Sequence, residues 1–206
     1  MKSLFSLLFA LFVVSGSAVA QDAGPDALVK KVTDDVLTVV RQDKDIQNGN
    51  TNKAIDLVET KVSPHFNFQH MTALAMGRDW SKPTTTPEQK KRLTEEFKTL
   101  LVRTYSNSLT SYKNQTVAYK PTKLQGTETD VVVKTEILQP GNKPVQLDYA
   151  LEKIGDSWKV YDVMVAGISL VTNYRDTFTQ EVRANGVDGL ITMLVNKNKQ
   201  SEAGKK

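Results

Sequence analysis

The hydrophobic repeat changes period twice along this chain, and that change limits the folds open to it. From residue 25 to about 109, apolar side chains recur every three to four positions. Pro25 suits a first helical turn, and Leu28, Val32, Val36 and Val39/Val40 after it predict a helix to about Arg41. The polar stretch 43–50 contains Gly49 and reads as a loop. Thr51 is placed to cap a second helix with Ile55, Val58 and Val62 on one side, ending before Pro64. A short third helix is predicted over 68–76, with Gly77 as its stop. Thr86-Pro87-Glu88-Gln89 then joins a cap, a proline at the first helical position and the glutamine of a capping box. Leu93, Phe97, Leu100, Leu101, Tyr105 and Leu109 continue from it as a helix of about six turns.

Beyond residue 115 the repeat becomes two. Val131, Val133 and Ile137 alternate with Val132, Lys134 and Glu136, and Val145, Leu147, Tyr149 and Leu151 alternate with Gln146, Asp148 and Glu152. Both runs predict half-buried antiparallel strands, joined through Gln139-Pro140-Gly141-Asn142, with a further turn at Gly155-Asp156. An earlier strand over 115–120 completes a four-stranded meander. In the last run Trp158 and Val160 share one phase while Tyr161, Val163 and Val165 share the other, so a β-bulge is expected near Val160. The helical period returns after Ser169, a predicted cap, with Leu170, Tyr174, Phe178 and Val182. Asn185-Gly186 stops that helix, and Leu190, Ile191, Leu194 and Val195 mark a last one. Helices, then a sheet, then helices make an α+β fold in one domain.

Residues 1–20 read as a secretory signal peptide: Lys2, an apolar run over 4–14, and small residues ending Ala18-Val19-Ala20. The run is too short for a bilayer core of ~30 Å, which takes about 20 residues. Cleavage is expected after Ala20, with the periplasm as destination. The 186 residues that follow are divided into a domain over 21–198 and a flexible basic tail over 199–206. A chain of that size buries roughly 70% of its unfolded surface and needs no disulfide staples. Cysteine is absent, which removes thiol nucleophiles, thiolate metal sites and a lipid anchor at the cleavage point. The net charge is +4, or +3 without Lys2, and its basic residues are dispersed, so no nucleic-acid partner is expected.

Little in the sequence points to bond-making chemistry. His65 and His70 are five positions apart, which separates them on a helix, and no cysteine or paired acid completes a metal site. Neither a G-x-S-x-G elbow nor a phosphate-binding glycine loop occurs. Asp148 and Asp162 lie in strands, where an inward carboxylate of raised pKa is able to abstract a proton. The alternation assigns both to the polar, outward set. Periodicity alone does not reveal a cavity. The alternatives to a ligand carrier are an isomerase-like or dehydratase-like enzyme on a cone-shaped (NTF2-like) sheet, or a periplasmic chaperone or adaptor.

Four segments, in order, carry a resemblance that covers nearly the whole chain after Ala20. The first is Val62-Ser63-Pro64-His65-Phe66-Asn67-Phe68, continuing through Met71, Leu74, Met76-Gly77 and Trp80. The second is Thr86-Pro87-Glu88-Gln89 with Phe97, Leu101 and Thr104-Tyr105; the third is Val160-Tyr161-Asp162-Val163 with Gly167-Ile168-Ser169-Leu170-Val171. The last is Asn185-Gly186-Val187-Asp188-Gly189-Leu190. In these the chain resembles the MlaC family of periplasmic phospholipid-binding proteins, also called the toluene-tolerance auxiliary component. It departs at Ala166, where related sequences carry an acid.

The resemblance implies a curved antiparallel sheet wrapped by helices around an apolar lipid cavity, and no enzyme activity. The implied floor is Val131, Val133, Leu147, Tyr149, Val163 and Val165. The implied walls are Phe97, Leu101, Tyr105, Leu170, Tyr174 and Phe178, joined by Phe68, Met71, Trp80, Ile168, Leu190 and Leu194. No cofactor or metal is implied; a diacyl phospholipid is cargo. The implied partners are an inner-membrane, ABC-transporter-associated substrate-binding subunit (MlaD-like) and an outer-membrane lipoprotein–porin complex (MlaA-like). The carrier is expected to be a monomer. Lys90, Lys91 and Arg92, early in the long helix, are the candidate docking residues.

Overall fold

Helix α1, Pro25–Gln42, turns Val36 and Val40 of the stripe read in the sequence inward, together with Val29. It is the first element of a computed structural model that describes residues 24–122 and 126–203. The expected signal peptide, 1–20, lies outside the described residues, as do 204–206 of the expected tail. The stretch read as a loop contains a one-turn helix, α2, Lys44–Gln47. The Asp43 carboxylate accepts from the N–H groups of Asp45 and Ile46, and burial of Ile46 holds the turn in place. Helix α3, Thr51–Leu57, is capped by Asn50 rather than Thr51 and passes into a π turn and then a 3-10 turn before Phe66. Helix α4 is Phe68–Met76, and Gly77 ends it at φ 56°. Helix α5, Pro87–Ser106, has the full capping box. The Gln89 N–H donates to Thr86 Oγ1 at 3.2 Å, and the Thr86 N–H donates to Gln89 Oε1 at 3.0 Å.

The sheet is a meander in chain order, every neighbouring pair antiparallel. Its strands are β1 Thr116–Lys120, β2 Asp130–Leu138, β3 Val145–Ile154, β4 Ser157–Val165 and β5 Ile168–Ser169. The fifth strand, only two residues long, is too short to leave an alternating pattern in the sequence. Ala150 pairs with Asp162 but Leu151 pairs with Val160, so Tyr161 is the extra residue of the expected bulge. That bulge bends β4 and lets Val160 and Val163 serve the same face.

Ser169 Oγ accepts from the N–H groups of Val171 and Thr172 and starts the final helical segment. Helix α6, Arg175–Ala203, is broken where Gly186 adopts φ 71°, ψ −177°. It runs into the segment expected as a tail from 199. Arg103 donates to the Asn198 carbonyl at 2.6 Å and pairs with Glu202, and Asn198 Nδ2 donates to Glu96 O at 3.0 Å. Among the described residues no helix is long and apolar enough to cross a membrane.

The buried apolar residues fall into three clusters. Met71, Leu93, Phe97, Phe178, Leu190 and Leu194 join α4, α5 and α6. Val29, Val131, Val133, Leu151, Trp158 and Val160 join α1 to the sheet. Val40, Ile46, Ala54 and Leu57 join α1, α2 and α3. Phe66 packs against the first two clusters without being fully buried. The clusters do not merge into one continuous core, and the space between them forms the site.

Candidate functional site: a divided apolar cavity

Two adjoining chambers occupy the space between sheet and helices. The first, about 280 Å3, is lined by Val58, Val62, Phe66, Phe68 and Met71, by Leu101, Val102 and Tyr105 of α5, and by Tyr149, Val163 and Leu170. The second, about 220 Å3, is lined by Leu28, Val29, Val32, Thr33 and Leu37 of α1, by His65, and by Val117, Ile137, Leu147 and Val160 of the sheet. Val36, Val62, Phe66, Leu109 and Tyr149 belong to both and form the partition. Helix α1 contributes because residues 28, 32 and 36 fall on one side of it. The sheet contributes alternate residues because its pleat turns every second side chain to one face.

The polar groups on this wall are held neutral. Burial raises the Tyr149 hydroxyl to about 12, although Thr33 hydrogen-bonds it. Tyr105 is likewise pushed up to about 12, first by burial and then by the neighbouring Tyr174. Burial lowers the His65 pKa, and nearby Lys159 and Lys31 lower it further, which favours uncharged imidazole. Among the described residues the wall contains no Asp, Glu, Lys or Arg. An apolar surface of this kind recognises hydrocarbon by area and shape.

Asp148 and Asp162 are on the opposite face of the sheet, as the alternation predicts, but both are buried rather than solvated. Gln146 Nε2 donates to Asp148 Oδ2 at 2.5 Å, and the Val163 N–H donates to Asp162 Oδ1 at 2.7 Å. Desolvation raises the Asp162 pKa. Neither carboxylate reaches the cavity wall. His70 is apart from His65, with Nδ1 2.9 Å from Glu152 Oε1 and its ring stacked on Tyr161 at 4.4 Å. Among the described residues no group of three or more His, Cys, Asp or Glu is arranged to hold a metal.

Of the residues expected in the pocket, Phe68, Met71, Leu101, Tyr105, Leu147, Tyr149, Val163 and Leu170 line it. Phe97, Phe178, Leu190 and Leu194 do not: they fill the helical cluster, because their stripes face one another rather than the sheet. Trp80 and Tyr174 pack against that same cluster. Val131 and Val133 have the right strand phase but are off the wall, buried in the cluster with Val29, Leu151 and Trp158. Val165 lies at the end of β4 off the wall, and Ile168 is 64% exposed at the β4–β5 turn. The residues missed were chiefly those of α1, Phe66, Leu109 and β1. Their apolar spacing was visible, but the face they oppose was not.

The candidate docking residues are dispersed around α5. Lys90 Nζ stands 5.4 Å from the centre of the Trp80 ring, Arg92 pairs with Glu96 at 2.8 Å, and Lys91 is exposed. Ala166, the point of departure, has φ 50° and forms the β4–β5 turn with Gly167 at φ 81°. This is backbone that Asn, Asp or Gly adopts more readily than Ala.

An α+β shell enclosing a divided, uncharged apolar cavity defines a binding protein for an apolar ligand. The sequence profile of the MlaC protein family matches residues 30–196, and the chain belongs to that family. It is 32% identical over 165 residues to the toluene tolerance protein ttg2D of Pseudomonas putida, covering 80% of this chain and 75% of that one. It is 23% identical over 195 residues to the intermembrane phospholipid transport system binding protein MlaC of Haemophilus influenzae, covering 93% and 90% respectively. Its fold is similar to that of a phospholipid-binding protein from Ralstonia solanacearum solved in complex with a phospholipid. The TM-score is 0.78 and the identity 41%, over 86% of this chain and 98% of the other.

Proposed function

We propose that this protein is a periplasmic carrier that holds a phospholipid by its acyl chains and conveys it between membranes. The observation that carries the reading is the chargeless cavity, whose two chambers fall in a fold shared with a relative solved around a phospholipid. Together the chambers have a volume within the range of ligand pockets, ~300–1,000 Å3. A lipid with ~30 methylenes at about 0.8 kcal/mol each stands to lose roughly 24 kcal/mol on entering water. A closed apolar cavity offsets most of that cost, so transfer becomes an exchange between comparable environments. Such a task needs no catalytic group, and Asp148 and Asp162 face away from the ligand space.

Family membership supports export by the leader 1–20 and partners of the intermembrane transport system. The inner-membrane partner is the MlaD-like subunit, and the outer-membrane partner is the MlaA-like complex. Among the described residues neither chamber carries Asp, Glu, Lys or Arg, and on this reading the energy for directional transport comes from a partner.

Native mass spectrometry of the protein purified from an exporting host, followed by organic extraction, tests the reading. The expected result is a chain starting at Gln21 with an added mass that resolves into diacyl phospholipid. A mass without addition, together with failure to load from phospholipid vesicles, would overturn it. Co-purifying peptide would favour a chaperone instead.

A further inference from the structure

A second concavity, about 890 Å3, lies outside the chambers and shares no residue with them. Arg78, Asp79 and Lys82 bound it on one side, and Arg175, Thr179 and Arg183 of α6 on the other. Residues 175, 179 and 183 fall at helical spacing, so α6 presents them along one face. Among the described residues four cations therefore surround a single carboxylate, and that carboxylate is already engaged: Lys82 Nζ is 2.5 Å from Asp79 Oδ1.

The cations differ in freedom. Arg175 donates from Nε and Nη2 to the Leu74 carbonyl at 3.1 and 2.8 Å. That satisfies an orphan acceptor in the last turn of α4 and fixes the guanidinium on the wall. Arg78 and Arg183 are exposed, and among the described residues neither meets an acid. Lys90, over the ring of Trp80, the residue after Asp79, is a cation outside this lining.

We propose that this basic concavity docks a protruding acidic segment of a protein partner, with Arg78 and Arg183 taking its carboxylates. Guanidinium forks match carboxylates in pairs of parallel hydrogen bonds. A recessed site suits a projecting segment, whereas a lipid surface is flat and meets projecting cations. Exposed charge pairs speed encounter and are individually weak, which suits a carrier that must leave its partner. The proposal rests on the carrier reading for the need of such a transient dock, while the charge arrangement stands independently of it.

The test uses a dye-labelled peptide of alternating glutamate and alanine, its glutamine counterpart, and vesicles containing phosphatidylglycerol. The wild-type protein is compared with the double variant Arg78→Glu/Arg183→Glu; Arg175 is left in place because it caps α4. The glutamate peptide is expected to bind the wild type, to weaken with added salt, and to bind the variant roughly tenfold less tightly. The glutamine peptide is expected not to bind, and vesicle binding to be equal for both proteins. Peptide affinity within twofold in the two proteins overturns the proposal. So does a loss confined to vesicle binding, which assigns the surface to membranes. Lipid content, read by mass spectrometry on the same samples, is expected to be unchanged by the substitutions. Wild-type protein that neither retains lipid nor loads it from phospholipid vesicles would overturn the carrier reading and leave the peptide result standing.

Discussion

Phe66 stands beside Val160 in a single parallel β-bridge, and the N–H of the next residue, Asn67, donates to the Val160 carbonyl at 2.8 Å. This contact fastens the helical layer to β4 next to the bulge at Tyr161. It also holds the Phe66 ring where both chambers meet. The partition of the cavity is thus a consequence of how the two layers are joined.

Phe66→Ala removes the ring that packs against two of the three clusters. The expected loss of stability is about 3 kcal/mol, read by chemical denaturation. The same variant merges the chambers, so on the carrier reading it should still load phospholipid. Loss of loading with an intact fold would show that the partition itself grips the ligand.

Leu170 and Val165 are both half-buried and close in sequence, but Leu170 lines a chamber and Val165 does not. Leu170→Asp places a carboxylate on a wall where, among the described residues, no Lys or Arg is present to pair with it. Lipid affinity is expected to drop about tenfold or more, because an unpaired charge in an apolar site is costly. Val165→Asp should leave loading near wild type. Equal loss in both variants, measured by extraction and mass spectrometry, would contradict the assigned wall.

Gly186 holds φ 71°, ψ −177°, and a methyl group added there would meet nothing within 4 Å. Gly186→Ala therefore meets backbone strain rather than a clash. The expected cost is about 1–3 kcal/mol, visible as a lower melting temperature. An unchanged melt would mean that α6 straightens at this point.

Ala166 and Gly167 form a two-residue hairpin turn in left-handed backbone, between the paired Val165 and Ile168. Asn-Gly is the preferred sequence for such a turn. Ala166→Asn is expected to raise stability by about 1 kcal/mol. Thermal unfolding monitored by circular dichroism is sufficient to detect it, and a decrease would contradict the turn geometry.

Burial raises the Asp162 pKa above its ordinary 3.8. The folded chain therefore holds this proton to higher pH than the unfolded chain. The resulting stability is complete below the ordinary value and lost as pH rises through the raised one. Asp162→Asn keeps an acceptor for the Val163 N–H but does not ionise. Its melting temperature relative to wild type should climb as the pH rises above the ordinary carboxylate value, about 4. A difference that stays constant over that rise would show that Asp162 does not titrate there.

The sequence by itself determined the long helices and the four longer strands. The two changes of period, the capping box at Thr86 and Gln89, the stop at Gly77 and the bulge required by Val160 and Val163 are local, and each is encoded within a few residues. The short helix at Lys44–Gln47 was less legible, because its burial depends on Ile46 meeting α1 and α3. Only the tertiary structure decided which apolar faces meet one another and which face a cavity. Phe97 and Leu101 sit on the same helix, yet Phe97 packs on Tyr174 and Phe178 while Leu101 lines a chamber. Likewise Val133 and Tyr149 are cross-strand partners on one face of the sheet, but only Tyr149 reaches the cavity. Hydrophobic burial is non-directional, so an apolar stripe specifies that it will leave water and not what will cover it. That choice is made by the crossing of α1 over the sheet and by the bridge at Phe66.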